Sequence, residues 1–197
     1  MGDRFELSGD FRGAILNIKS TINGKEREVR IPWQRPPRVE HFTNREAELA
    51  QLLAELQPGR VATLCGPGGM GKSALAAEAV WRLAPGDAPP ARFPDGIVYY
   101  SFYNQPQAAL ALEHIARSWG EETGRGSPRD AALRALARRR ALLLLDGTEE
   151  SDDLAAVLAV RGGCGVLVTS RKVIYEAIKL PAAEQVRNRL AQLDEPH

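Results

Sequence analysis

The stretch Gly66-Pro67-Gly68-Gly69-Met70-Gly71-Lys72-Ser73 decides how the rest of the chain is read. It follows the pattern G-x-x-x-x-G-K-[ST], which carries chemical meaning when a strand precedes it and a helix follows. Both neighbours are predicted. Arg60 to Cys65 reads as a buried strand, and a helix runs from about Lys72 to Leu83. Glycines let the main chain curl until several N–H groups face one anion. The start of a helix adds free donors and a favourable dipole. Lys72 supplies a mobile positive charge for β- and γ-phosphates, and Ser73 a hydroxyl ligand for Mg²⁺. As an ordinary Gly-rich turn, the stretch would leave Lys72 and Ser73 as coincidences. Gly66, Pro67, Gly68, Gly69, Met70, Gly71, Lys72 and Ser73 are therefore the candidate polyphosphate cradle.

Three more strands are expected downstream: Gly96 to Phe102, Ala141 to Asp146, and Gly165 to Ser170. Helices fall between them. Ala108, Leu112, Ile115, Ala116 and Trp119 share one helical face. Ser127-Pro128 opens another helix with Pro in its first turn, and Leu133, Leu136 and Ala137 are expected inward. Its end, Arg138-Arg139-Arg140, is cationic, as the helix dipole favours. Asp152 and Asp153 begin a short helix with Leu154, Val157 and Leu158. Upstream, Thr43 and Glu46 have capping-box spacing before the stripe Leu49, Leu52, Leu53 and Leu56. Strands alternating with helices, one of them the continuous run Leu142-Leu143-Leu144-Leu145, predict a parallel sheet covered on both faces.

Charged residues at the strand tips complete the candidate site. Asp146 ends an apolar strand at the ligand-binding edge of an α/β sheet, where it would hold Mg²⁺; the rival reading is a turn residue. Arg171 follows the fourth strand and would stand near the γ-phosphate; the rival is an exposed surface arginine. An acid to polarise water is less plainly marked. Gly147 follows Asp146 directly, so Glu149 is the candidate and Glu150 the fallback. Both also suit the acidic start of a helix.

Composition bounds the alternatives. A chain of 197 residues with 44% hydrophobic and 26% charged residues is globular in character. A net charge of +1 gives no support for bulk attraction to nucleic acid or acidic membranes. Cys65 and Cys164 are too few for a disulfide scaffold and fit a reducing compartment. The N-terminus lacks a signal-peptide core, and Glu6 breaks the myristoylation pattern. The longest strongly apolar run, Ala141 to Leu145, is far short of a membrane span. A cytoplasmic location is expected. Cys65 reads as a small core residue, Cys164 as inert, His114 as a surface residue, and Trp33, Trp81 and Trp119 as packing residues. No zinc-ligand spacing occurs.

Residues 1–35 read as a separate arm. Ile18 to Ile22 and Glu26 to Ile31 flank Asn23-Gly24, a two-residue hairpin signal. Pro32 to Pro37 is rich in proline and reads as a linker. The expected organisation is an arm and linker at 1–35, an α/β domain at 36–180, and a helical tail at 181–197.

The ordered set Phe42-Thr43-Asn44-Arg45-Glu46, the phosphate loop, Leu142 to Asp146, and Val166 to Arg171 resembles the nucleotide-binding domain of STAND, NB-ARC-like NTPases. The resemblance covers roughly residues 36–175. It implies a P-loop NTPase three-layer sandwich that binds ATP or ADP with Mg²⁺. It also implies a base-binding role for Phe42, Thr43 and Arg45. Asn44 stands where the family usually has Gly, a mild departure because Asn tolerates left-handed angles. The stretches Tyr99 to Tyr103 and Leu145 to Glu149 are similar to bacterial members, which strengthens Glu149 as a candidate.

The family's sheet has a fifth strand, followed by a helical lid and a winged helix. The apolar patch Ile174 to Leu180 begins too soon after Arg171 for the crossover such a strand needs. Four core strands are expected, in a short or truncated member with weak nucleotide retention and slow turnover.

The function expected is an ATP/ADP-binding switch with slow hydrolysis, in which Lys72, Asp146, Glu149 and Arg171 act on the phosphates. Its expected partners are a protein or effector domain and a nucleotide-dependent second copy, with nucleic acid disfavoured. The alternative is a non-catalytic nucleotide-binding module that pairs through its arm or sheet edge. A small-molecule kinase would need an arginine-rich lid that the tail does not supply. GTP is disfavoured because no Asn-Lys-x-Asp segment occurs.

Overall fold

A computed structural model describes residues 7–8, 15–22, 25–42, 45–124 and 126–171. The core is a four-stranded parallel sheet built from β4 (Val61–Cys65), β5 (Ile97–Ser101), β6 (Leu142–Asp146) and β7 (Gly165–Ser170), in the order β4-β7-β6-β5. Parallel pairing holds throughout, with Val61 opposite Val166 and Leu142 opposite both Ile97 and Gly165. The strands that sequence periodicity marks are therefore all present, within about one residue at each end.

Alternation along the strands divides the core into two layers, because successive side chains point to opposite faces. Leu142 and Leu144 of β6, with Ala62, Leu64 and Leu167, pack on α1 (Glu46–Glu55) and α2 (Lys72–Leu83). Leu143 and Leu145, with Val98, Val166 and Val168, pack on α3 (Ala108–Ser118), α4 (Pro128–Leu136) and α5 (Leu154–Ala159). The result is the expected three-layer sandwich. Each fully buried leucine contributes roughly 1.5–3 kcal/mol relative to its exposed state.

Several local expectations change. Leu133 is 39% exposed and Ala137 is exposed too. Alanines 131, 132 and 135 with Leu136 make the buried stripe of α4, whose small side chains let it lie close to α3. Arg45, not Thr43, stands at the N-cap of α1 and makes no side-chain cap bond. Thr43 and Asn44 lie outside the described residues. Cys65 is only half-buried, whereas Cys164 is fully buried and burial pushes its thiol pKa up.

The N-terminal residues form an antiparallel sheet of β1 (Leu7–Ser8), β2 (Ile15–Ile22) and β3 (Lys25–Pro32). Ile22 pairs with Lys25, and the two residues between them, Asn23 and Gly24, lie outside the described residues. The segment after β3 is bound to the core. Trp33 is 3% exposed and bridges Ile97 in parallel, and the Gln34 amide donates to the Ile97 carbonyl. The Arg35 guanidinium stacks 3.9 Å from the Trp81 ring centre. His114 is not on the surface. It is half-buried with Nε2 2.8 Å from Gln34 Oε1, because the incoming segment covers α3, and burial lowers its pKa. Residues 172–197, including the expected tail and the position of a fifth strand, lie outside the described residues.

The close packing of β7 yields a stability prediction. A Cβ on Gly165 would meet two Phe93 ring carbons at 2.7 and 2.9 Å and the Gln57 carbonyl oxygen at 2.9 Å. The carbonyl belongs to the backbone and cannot swing aside. Gly165→Ala is expected to cost roughly 1–3 kcal/mol, read as a lower urea midpoint with an unchanged slope.

Candidate functional site

The phosphate loop joins β4 to α2 at the C-terminal edge of the sheet, where its neighbours in space are the ends of β7 and β6. Gly71 is the N-cap of α2 at φ 72°, a left-handed angle that a residue with a Cβ adopts only under strain. The Gly66 amide donates to the Ser170 carbonyl, tying the loop to β7. Lys72 is 8% exposed, and its Nζ donates to the Gly66 and Pro67 carbonyls, each at 2.8 Å. The ammonium is thus held inside the curl of the loop.

Ser73 Oγ donates to Asp146 Oδ1 at 2.7 Å, so residues 73 apart in sequence meet at one point. Asp146 is 6% exposed, and the same oxygen accepts a bond from Thr169 Oγ1. Thr169 Oγ1 in turn accepts from the Gly147 amide at 3.0 Å. The Asp146 carboxylate is therefore oriented from β7 as well as by its own strand. One hydroxyl and one carboxylate beside a phosphate cradle is a donor set suited to Mg²⁺, which takes few protein ligands and keeps phosphate and water oxygens. Among the described residues no cluster of three or more His, Cys, Asp or Glu could hold a metal by itself.

Glu149 stands in a short 3₁₀ turn, Thr148–Glu150, one residue past β6. Its side chain is 4% exposed, and Arg171 Nε donates to Glu149 Oε1 at 2.5 Å. The Arg171 amide donates to Oε2 at 3.1 Å, and Tyr103 Oη donates to Oε1 at 3.1 Å. Burial pushes the Glu149 carboxyl up, but the Arg171 guanidinium and these further hydrogen bonds outweigh it and hold the pKa below the usual carboxylate range. Arg171 Nη2 also reaches Glu150 Oε1 at 2.7 Å.

A cleft of about 400 Å³ lies over the loop, lined by Gly68, Gly69, Gly71, Lys72, Ser73, Ala74, Tyr103 and Arg171. That volume is within the range of small-ligand sites. Phe42 and Arg45 stand apart from this lining. Phe42 is partly buried against the core layer that α1 and α2 cover, and Arg45 Nη1 donates to the Met70 carbonyl at 2.8 Å, bracing the loop. The structure thus gathers the loop, Asp146, Glu149 and Arg171 at one place. Sequence reading assigns no role to Tyr103 or Thr169. The available signals were an aromatic residue just past β5 and a hydroxyl near the tip of β7.

A parallel sheet whose first strand runs into this loop, with a carboxylate from a third strand on the loop's serine, defines a P-loop NTPase domain. The sequence matches the NB-ARC domain over residues 43–195, and the chain belongs to that family. It is similar to the regulatory protein AfsR of Streptomyces coelicolor, 31% identical over 159 residues, covering 71% of this chain and 15% of AfsR. The AfsR of Streptomyces griseus is 29% identical over 154 residues, with the same coverage of each chain. The match thus spans about one seventh of the length of these relatives. In fold it resembles the Aeropyrum pernix ORC1 protein, solved in complex with DNA, at a TM-score of 0.53 and 20% identity over 72% of this chain and 42% of ORC1. No helix among the described residues is long and apolar enough to cross a membrane.

Proposed function

We propose that this NB-ARC domain is the ATP/ADP-binding core of a STAND-type signalling switch, with slow Mg²⁺-dependent ATP hydrolysis. The observation that carries the reading is the meeting of Ser73 and Asp146 beside a loop that already encloses the Lys72 ammonium. Ser73 and Asp146 would hold Mg²⁺, which when bound supplies positive charge to the phosphate oxygens. Lys72 exchanges its loop carbonyls for phosphate oxygens. Glu149 orients the attacking water, and Arg171 reads the terminal phosphate. Phe42, Thr43 and Arg45 contact the base, as the family resemblance implies.

The AfsR relatives are regulatory proteins by name, which supports a regulatory output; an effector domain, a protein partner or nucleotide-dependent self-assembly would carry it. A cytoplasmic location fits that role, and nucleic acid is not an expected ligand of this domain.

One observation favours a second reading. Glu149, the candidate for orienting water, already accepts three bonds from Arg171 and Tyr103, and Gly147 occupies the position directly after Asp146. In that reading the domain binds nucleotide without hydrolysing it and pairs with a protein partner.

Calorimetric titration with ATP and ADP, with and without Mg²⁺, tests the shared claim. A phosphate-release assay separates the two readings. Binding with slow Mg²⁺-dependent release supports the first, and binding with no release supports the second. Failure to bind either nucleotide rejects both.

A further inference from the structure

Tyr103 follows β5 at the mouth of the cleft and belongs to no motif that defines the phosphate loop. Its ring lies over Gly147 so closely that a Cβ there would meet three ring carbons at 2.6–2.8 Å. Gly147 is also at φ 71°, so both space and backbone angle demand glycine after Asp146. The ring is 48% exposed and faces the cleft, with the Arg171 guanidinium 5.7 Å from its centre. Its hydroxyl donates to the same Glu149 oxygen that Arg171 Nε engages. The stem of Arg171 lies along the loop, with Cδ 3.7 Å from where a Cβ on Gly68 would stand. Tyr103, Glu149 and Arg171 therefore form one bonded bar along the cleft wall beside the loop.

We propose that Tyr103 is a positioning residue that sets the preference of this cleft between nucleoside triphosphate and diphosphate, by holding Glu149 paired with Arg171. The inference rests on the nucleotide-binding reading above. Arg171 cannot give its Nε–H to Glu149 and to a third phosphate at once. A diphosphate can occupy the loop with the pair intact, whereas a triphosphate gains the Nε edge of Arg171 only by parting it from Glu149, and with the pair intact must share the guanidinium charge with that carboxylate and with Glu150. Each bond that steadies Glu149 in its present place, the Tyr103 hydroxyl among them, raises the cost of that exchange. The cleft is thereby biased toward the diphosphate.

Three other features brace the pair. Glu150 shares the guanidinium, the Arg171 amide holds the second Glu149 oxygen, and Asp152 ties the same loop to α3 by accepting from the Ala108 amide at 2.7 Å.

The test measures affinities of the whole chain for ADP and for the non-hydrolysable β,γ-imido analogue of ATP, both with Mg²⁺. Tyr103→Phe keeps the ring over Gly147 and removes one hydrogen bond. It is expected to raise triphosphate affinity relative to ADP by about three- to tenfold. Glu149→Gln is expected to shift the ratio the same way by more. In that background Tyr103→Phe adds nothing, because Tyr103 acts through the Glu149 carboxylate. A merely structural role would lower both affinities together and leave their ratio alone. An unchanged ratio in Tyr103→Phe, or fully additive effects in the double variant, overturns the inference while leaving nucleotide binding standing. If the unaltered chain binds neither nucleotide, the functional reading fails and takes this inference with it.

Discussion

Lys72→Ala is expected to weaken binding of both ATP and ADP by roughly 100-fold or more. The ammonium sits inside the loop, bonded to the Gly66 and Pro67 carbonyls, and is 8% exposed. It is thus already desolvated where a phosphate group would be met. Truncating one partner of a buried charge pair typically costs about 2–5 kcal/mol, of which about 2.7 kcal/mol corresponds to the 100-fold loss. The fold should survive, because alanine is a strong helix former at the start of α2. Water can reach the freed Pro67 carbonyl, since Pro67 is exposed. Calorimetry on the variant and its parent, paired with thermal melts, reads both quantities. Retained affinity in a folded variant would reject the phosphate loop as the nucleotide site.

Asp146→Asn is expected to abolish the Mg²⁺ dependence and to reduce any phosphate release by about 100-fold or more. The substitution keeps an oxygen that can accept from Ser73 and Thr169, so the local bonding has a route to persist. What it removes is the negative charge, and a neutral amide cannot balance a divalent cation of hard character. Nucleotide should still bind without metal, because the loop amides and Lys72 are untouched. The informative comparison is calorimetry with and without Mg²⁺ in both proteins. Equal Mg²⁺ enhancement in the variant would place the metal elsewhere.

The core elements were legible because their signals are local. Leu142 to Leu145 is apolar without interruption, as a strand buried on both faces requires, and Leu142 and Leu144 do pack on one layer while Leu143 and Leu145 pack on the other. Ser127-Pro128 begins α4 as read, with Ser127 Oγ accepting from the Asp130 amide at 3.1 Å. Asp153 likewise caps α5. Where expectation departed from structure, a distant segment had intervened. Asp152 looks like a second cap for α5, yet it caps α3, 44 positions earlier in the chain. His114 looks like a flank residue until Gln34 is laid across it. Leu133 shares a helical period with Leu136 but faces outward, because the alanines beside α3 set the packed side of α4.

Sequence alone determined the phosphate loop, the order of strands and helices, and the identity of Asp146, Glu149 and Arg171 as candidate groups, since each depends on neighbours within a few residues. Tertiary structure alone decided the strand order β4-β7-β6-β5, and with it everything that depends on which tips become adjacent. It brought β6 and β7 to the loop's side, put Ser73 on Asp146, paired Arg171 with Glu149, and set Tyr103 over Gly147. The reason is physical. Periodicity reports which face of an element is buried, but contacts between separate elements depend on how the sheet is threaded, and no local pattern encodes that.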